Sequence, residues 1–278
     1  MASRQNEYRL LLPWFDQQYA VRLLAGAKPT PQAAGRAAEQ WLRAAEKLRS
    51  RRMTAFSTAT QPLPAALSGL AEEFAASSQF ASLPDFPGAE MRLVELASLL
   101  TFQARISVNS SDELFPVPYD GSLESIFRIC LPAAGRMDPV QVQTAGASAR
   151  IASDNPNLRF GGFQLTGSTL VATFGFRPPW VQVCEYRGRL FVRNGYHRCW
   201  ALLKAGATHA VALTLRVATL AELGAAEAGY VSEARLLSAA PPMLYDFEDP
   251  DLYATFSEPA SRRVINLTAT EFMELPTQ

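Results

Sequence analysis

The residues best suited to chemistry are the four at 195–198, which read Gly-Tyr-His-Arg and stand between a β-rich stretch and a helical one. Glycine lets a backbone approach a ligand closely, and the first turn of a helix presents unpaired N–H groups at the positive end of its dipole. Arg198 adds a planar fork of donors that matches phosphate oxygens, and His197 adds a donor whose charge responds to pH. These residue types at this spacing predict an anion site that suits phosphate.

The surrounding pattern predicts the elements that would hold these residues. Two β-rich runs between residues 180 and 192 flank Arg187-Gly188, which is typical of a hairpin turn. Residues 196–205 have a helical pattern, and Gly206 suits the position just after a helix ends. A hairpin that leads directly into a helix is therefore predicted, with the four residues at the junction.

The segment resembles the ParB/sulfiredoxin-like superfamily, whose Gly-x-His-Arg or Gly-Glu-Arg-Arg signature follows a β-hairpin and begins a helix. In that family an alanine stands three residues after the arginine and a glycine ends the helix. Ala201 and Gly206 fit this pattern, and the match covers about residues 178–217. The resemblance implies a small mixed-sheet domain whose turn holds the phosphates of a nucleotide (ATP, ADP or CTP) with Mg²⁺. The residues it assigns to phosphate binding are Gly195, Tyr196 (through its backbone), His197 and Arg198.

Departures from the family pattern limit the activity that the resemblance implies. Sulfiredoxins carry a reactive cysteine between the glycine and the histidine, whereas this chain has Tyr196 there, so sulfinic-acid reduction is not expected. ParB partition proteins continue into a helix-turn-helix, which the acidic residues after Arg216 do not resemble. The related free-serine kinases need an acidic base near the phosphates. Glu185 is the candidate nearest in sequence, and an exposed residue of the hairpin is the alternative that the pattern favours. Simple binding, nucleotide hydrolysis and phosphotransfer all stay open.

The net charge of zero hides an uneven distribution along the chain. Residues 150–216 hold nine basic and two acidic side chains, whereas residues 217–278 hold three basic and ten acidic ones. Either the basic segment holds an anion, or the acidic tail folds back on it and neutralises it. Further anion contacts are expected from Arg193 and Arg159. The latter follows an Asn-Pro pair, as an arginine does in ParB domains, and a plain Asn-Pro turn is the alternative.

Two other functions compete with nucleotide binding. The basic segment would also suit nucleic-acid binding or cleavage, because aromatic residues that can stack on bases are interleaved with its arginines. Alternatively, the chain is a non-catalytic adaptor on a degenerate ParB-like scaffold, and its N-terminal helices bind a protein partner. The aromatic residues considered for stacking are Trp180, Tyr186, Phe191, Tyr196 and Trp200.

The expected fold class is α+β. A helical N-terminal region, residues 1–107, would pack on the ParB-like α/β domain, residues 120–217, and an acidic C-terminal extension, residues 218–278, would follow. A polar run at 107–113 and Pro116 mark the first boundary. The pattern of apolar residues predicts helices over 31–52, 64–80 and 88–106, and strands over 126–131, 140–143, 163–165, 170–174 and 210–217.

Composition indicates a folded protein in a reducing compartment. Hydrophobic residues make up 48% of the chain, and no apolar run approaches the roughly 20 residues that cross a bilayer. The N-terminus has no apolar run, so no secretory signal or membrane contact is expected, and the expected location is cytoplasmic. Three dispersed cysteines and two histidines favour neither a disulfide framework nor a metal site. Three lysines among 26 basic residues indicate a GC-rich, bacterial genome.

Overall fold

The computed structural model describes residues 5–26, 28–51, 56, 58–77, 88–109, 118–133, 139–155, 157–176, 180–226, 230–260 and 262–270. Over these residues the chain is a mixed α/β protein with seven α-helices and fourteen strands. They divide between two compact units. The main unit comprises residues 5–133 and 180–258, and the β unit comprises residues 1–4, 134–179 and 259–278.

Local sequence signals account for several of the element boundaries. Helix α2 begins at Pro31, and the hydroxyl of Thr30 caps it by accepting a hydrogen bond from the Ala33 N–H at 3.2 Å. The helices are α1 Gln17–Ala25, α2 Pro31–Ser50, α3 Ser68–Ala75, α4 Leu123–Cys130, α5 Tyr196–Lys204, α6 Leu220–Leu223 and α7 Glu233–Leu236. The strands are β1 Gln5–Leu11, β2 Thr60–Pro62, β3 Glu90–Glu95, β4 Leu100–Thr101, β5 Arg105–Ser107, β6 Gln141–Ala145, β7 Ser148–Ser153, β8 Leu158–Thr166, β9 Thr169–Phe176, β10 Gln182–Tyr186, β11 Arg189–Asn194, β12 His209–Arg216, β13 Tyr253–Pro259 and β14 Arg263–Thr268.

The main unit contains a six-stranded mixed sheet in the order β2-β3-β12-β10-β11-β4. β10 lies parallel to β12 and β11 lies parallel to β4, whereas the other neighbours are antiparallel. The predicted β10–β11 hairpin is confirmed. It turns at Arg187 (φ 50°) and Gly188 (φ 72°), a left-handed pair that matches the twist of the strands. A second sheet has the order β13-β1-β5.

Helices α3, α4 and α5 contribute side chains to one buried cluster with the six-stranded sheet. Phe74 of α3 meets Trp180 edge-on, with 4.9 Å between the ring centroids. Trp200 of α5 is fully buried, and its indole N–H donates to the Glu248 carboxylate at 2.6 Å. This packing fixes α5, and therefore the residues at its start, in the core of the main unit.

The β unit consists of strands with a small interior. β14, β7 and β6 form an antiparallel sheet in that order, and β8 and β9 form a separate hairpin. Ile151, Ala152 and Leu158 are its buried apolar side chains among the described residues, whereas β6 is exposed along its length.

Two predicted elements have the wrong secondary structure. Residues 88–106 were expected to be helical, but they form β3, β4 and β5, because β3 pairs antiparallel with β12 over six residues. Residues 126–131 were expected to be a strand, but they belong to helix α4. The Ser122 hydroxyl caps α4 by accepting from the Ser125 N–H at 3.0 Å, and the helix buries one apolar face.

The expected domain division also differs from that of the structure. β2, β3 and β4 complete the sheet that holds β10, β11 and β12, so the region before residue 107 is not a separate helical layer. Residues 218–258 of the acidic extension belong to the main unit, whereas residues 259–278 belong to the β unit. The helices at 31–50 and 68–75, the strand at 209–216 and the end of α5 before Gly206 are confirmed. In the described part of the chain, no helix combines the length and apolar character needed to cross a membrane.

Candidate anion site at the start of helix α5

Gly195 precedes helix α5 in a left-handed conformation, with φ 79°. A Cβ atom there would lie 2.9 Å from the Cα of Val181, a separation that real Cβ atoms do not show. The sequence suggested that this glycine makes room for a ligand. In the structure, the missing side chain instead allows the turn to pack against Val181. Packing within the protein therefore explains why this position is a glycine.

The first turn of α5 has three N–H groups with no acceptor among the described residues. They belong to Tyr196, His197 and Arg198, and the first N–H bond inside the helix runs from Cys199 to the Gly195 carbonyl at 3.0 Å. No side chain in the described part of the chain caps this end of the helix. Three such donors at the positive end of a nine-residue helix are the kind of backbone group that can bind an anion.

Arg198 is the most unusual side chain at this site. It is only 5% exposed, and its Nη1 donates to the Ile129 carbonyl at 3.0 Å, but its Nε has no hydrogen-bond partner. Burial lowers the pKa of Arg198 to about 10, so the guanidinium is still charged at neutral pH. No carboxylate of the described residues forms an ion pair with it. Side chains of a helix lean towards its N-terminus, which is the end that carries the unpaired N–H groups.

The neighbouring thiols do not balance the charge of Arg198. Burial raises the pKa of Cys130 to about 12 and raises the pKa of Cys199 well above its usual range. Both thiols are therefore neutral at physiological pH, and they pack as small apolar groups. The guanidinium remains a buried cation without a counter-charge among the described side chains.

His197 has a different role from the one expected. Its Nε2 accepts a hydrogen bond from the Ser107 N–H at 2.9 Å, so the imidazole is neutral with its proton on Nδ1. Burial lowers the pKa of His197 to about 4, and the ring therefore does not gain charge near pH 6.5. His197 joins α5 to β5. Its remaining donors towards a ligand are its main-chain N–H and Nδ1–H.

The Tyr196 side chain turns towards a cluster of other aromatic and basic groups. Burial, together with the nearby phenols of Tyr230 and Tyr8, raises the pKa of Tyr196, although the Arg105 guanidinium acts in the opposite direction. Its ring also packs against the His197 ring, with 4.2 Å between the centroids. The main-chain N–H of Tyr196 thus has no acceptor among the described residues, whereas its side chain packs within the fold.

The structure does not bring Glu185 to this site. Gln182, at the start of β10, pairs with Asn194 beside the glycine, and Glu185 lies three residues further along the strand. That spacing corresponds to about 10 Å. The Glu185 carboxylate instead forms an ion pair with Arg216 at 3.0 Å. The structure therefore does not support Glu185 as an acidic base at this turn, and Glu185 is instead a paired residue of the hairpin.

The two further arginines named from the sequence are also not assigned to the site. The Arg193 side chain packs beside Gly224, where a Cβ atom would lie 3.6 Å from its Nε. Arg159 belongs to the β unit, and its Nη1 donates to the carbonyl of Leu158 at 2.9 Å. The candidate anion site is thus limited to the first turn of α5 and Arg198.

Several carboxylates of the acidic tail form ion pairs with basic residues of the first 105 positions. No ion pair between described residues joins residues 217–258 to the basic segment at 150–216. The tail therefore neutralises another part of the main unit, and the described pairs do not supply a counter-charge for Arg198. The pairs are Arg9–Glu248 at 2.9 Å, Lys47–Asp251 at 3.3 Å, Arg51–Asp246 at 2.7 Å and Arg105–Glu258 at 2.5 Å.

Four of the five aromatic residues expected to stack on bases are part of the core. They are Trp180, Tyr186, Phe191 and Trp200. Stacking on nucleic-acid bases requires exposed rings, so these four residues do not favour nucleic-acid binding. Phe160 and Phe163 of the same segment are exposed and belong to the β unit.

A cleft of about 220 Å³, which no sequence pattern predicted, lies elsewhere in the main unit. Its charged lining is paired within the protein. Arg51 donates to both carboxylate oxygens of the fully buried Asp246, at 2.7 and 3.1 Å, and also to the Tyr245 hydroxyl. The Asp246 carboxylate further accepts from the Met243 N–H at 2.7 Å. The cleft therefore presents no unpaired polar group that would point to a ligand.

Among the described residues, no group of three or more histidine, cysteine, aspartate or glutamate side chains is arranged to hold a metal ion. Comparison of the chain with protein-family models, with curated proteins and with solved structures gives no match. Functional inference therefore depends on the geometry at α5 and on the sequence resemblance.

Proposed function

We propose that this chain is a ParB-like protein that binds a phosphate-bearing ligand, such as ATP, ADP or CTP, at the first turn of α5. The observation that carries the proposal is Arg198, a buried cation that has, among the described residues, no carboxylate partner and no acceptor for its Nε. A buried charge without a counter-charge is costly. A phosphate would supply the missing negative charge and accept from Nε and from the three unpaired N–H groups.

Each residue of the predicted turn has a distinct part in this proposal. Arg198 provides charge and directional donors, and the backbone of Tyr196 and His197 completes the cradle. The His197 imidazole is a positioning group, since its bond to the Ser107 N–H holds the start of α5 against β5. Gly195 shapes the turn through its left-handed conformation.

The order of elements supports the family resemblance. A hairpin, β10–β11, leads directly into α5, and the following strand β12 returns parallel to β10. Because Glu185 lies away from the turn, no residue is proposed as a catalytic base. The proposal therefore covers binding, with Mg²⁺ carried by the nucleotide, and does not extend to hydrolysis or phosphotransfer.

A thermal-shift panel tests the proposal on the full chain. ATP, ADP, CTP and inorganic phosphate would each be added with and without Mg²⁺, and at least one should raise the Tm. A ligand at about 100 times its Kd stabilises a protein by roughly 2.7 kcal/mol. If none of these compounds raises the Tm at millimolar concentration, the proposal is wrong.

Two arginine variants show whether a positive panel result comes from this site. Arg198→Met removes the charge and keeps most of the side-chain volume, so it should weaken binding about ten- to a hundredfold. Arg189→Met is the matched control, because Arg189 lies in the same basic segment but donates to the carbonyls of residues 236–238. Equal loss of binding in both variants would contradict the assignment of the site.

A further inference from the structure

The β8–β9 hairpin has an amphipathic pattern. Its cross-strand pairs Leu165–Leu170 and Phe163–Ala172 share one face. Phe160 and Phe174 pair beyond a bulge, and Phe160 packs on Phe163 with 5.1 Å between the ring centroids. The opposite face carries mostly polar side chains, namely Gln164, Thr166, Thr169 and Thr173.

The apolar face of this hairpin is open to solvent. Phe163 is 61% exposed, Leu165 is 70% exposed and Leu170 is 63% exposed. A two-stranded hairpin is at best marginally stable in water unless a hydrophobic face is covered. These side chains thus form a surface that the described residues of the chain leave uncovered.

The hairpin also lacks the residue types that usually prevent exposed strands from associating with other chains. From Phe160 to Phe176 the sequence has no charged residue and no proline. Natural proteins usually place lysine, proline or inward charges on exposed strands to prevent association. A surface without charges can meet its own copy across a two-fold axis without like-charge repulsion. It offers no charge that a charged partner would recognise.

We propose that the apolar face of the β8–β9 hairpin packs against the same face of a second copy of this chain. The two hairpins would lie face to face about 10 Å apart, with their phenylalanine and leucine side chains interdigitated. A second copy is favoured over a lipid surface because Arg159 is the one charged residue of the two strands. Interfacial membrane segments carry several lysines or arginines.

The size of the surface indicates the strength of the contact. Phe160, Phe163, Leu165 and Leu170 together expose roughly 400 Å² in each copy, given the area of such side chains. Two copies would bury about 800 Å² through these side chains alone, which is below the roughly 1,200 Å² of stable interfaces and in the range of weak, transient ones. The dimer should therefore be weak and dependent on concentration.

Sedimentation velocity over about 1 to 200 µM, a range that brackets micromolar affinity, measures this association. The wild-type chain should shift from monomer to dimer as concentration rises, and Leu170→Asp should stay monomeric with its Tm at low concentration unchanged. Thr169→Asp is the matched control, since it places the same charge on the polar face of the same strand, and it should still dimerise.

If a variant fails to fold, a measurement on the wild-type chain still tests the proposed dimer. The wild-type Tm should rise with protein concentration, because association stabilises the folded state. A monomer at every concentration with a constant Tm would overturn the proposal, as would equal dimerisation of the two variants. Binding of the monomer to neutral phosphatidylcholine vesicles, lost in Leu170→Asp, would instead identify the face as a lipid-binding surface and would also overturn it.

Discussion

The guanidinium of Arg198 donates to the main-chain carbonyl of Ile129 at 3.0 Å, which joins the first turn of α5 to the C-terminal turn of α4. A cation near the C-terminus of a helix is favoured by the helix dipole. One neutral carbonyl nevertheless satisfies only part of a group that has five N–H donors and a full charge. This bond therefore explains how Arg198 is held in place. It leaves the charge and the Nε–H of the guanidinium for an anion.

The first prediction concerns stability without ligand. Arg198→Met should change the free energy of unfolding by less than about 1 kcal/mol, because losing the Ile129 bond is offset by removing a buried, uncompensated charge. Arg189→Met should be destabilising by about 2 kcal/mol, since it leaves three main-chain carbonyls without their donor. Urea unfolding followed by circular dichroism measures both. A loss above 3 kcal/mol in Arg198→Met would indicate a mainly structural arginine.

The second prediction concerns pH. The pKa of His197 is about 4 in the folded state and near 6.5 when unfolded, so the unfolded chain binds more protons between these values. Stability should therefore fall as pH decreases from 6.5 towards 4, by up to about 1.4 kcal/mol per pH unit. His197→Gln keeps an acceptor for the Ser107 N–H but does not titrate. The difference between wild type and this variant in urea unfolding isolates the effect, and identical pH profiles would contradict it.

The third prediction separates backbone strain from steric conflict in two glycines that flank α5. Gly195 and Gly206 both have positive φ, 79° and 86°, but only Gly195 has a neighbour where a Cβ would lie. Gly206→Ala should cost about 1–2 kcal/mol from the left-handed conformation alone. Gly195→Ala should cost clearly more, because Val181 must also move. An equal decrease in the free energy of unfolding for the two variants, measured by chemical denaturation, would show that a Cβ at position 195 causes no costly clash with Val181.

The fourth prediction concerns the buried ion pair of Arg51 and Asp246. Burial raises the pKa of Asp246 even though Arg51 opposes that shift, so the carboxylate depends strongly on its partner. Arg51→Met should lower the free energy of unfolding by about 3–5 kcal/mol, since it leaves a buried carboxylate without a cation. Lys47→Met, which removes an exposed partner of Asp249 and Asp251, should have little effect. A similar decrease in the free energy of unfolding in both variants would show that burial does not determine how much the Arg51–Asp246 pair contributes to stability.

Local signals were enough to predict the elements that hold the start of α5. Arg187-Gly188 specifies the hairpin turn, and Gly206 ends the helix, because each depends on the conformational preference of a few adjacent residues. The helix at 31–50 was equally predictable, since its proline and threonine cap lie at its first turn. The position of the candidate site in the chain therefore followed from the sequence.

The chemical environment of the site depended on residues far apart in the chain. Arg198 bonds to Ile129, 69 positions away, and His197 bonds to Ser107, 90 positions away, so no local pattern reveals either partner. Contacts between distant segments also explain why two elements have a different secondary structure from the predicted one. β3 is a strand because it pairs with β12, more than a hundred residues later, whereas α4 is a helix because its apolar face is buried against the core. Local preference sets turns and helix ends, but burial and pairing between distant segments decide which side chains lose water and which charges remain without a partner.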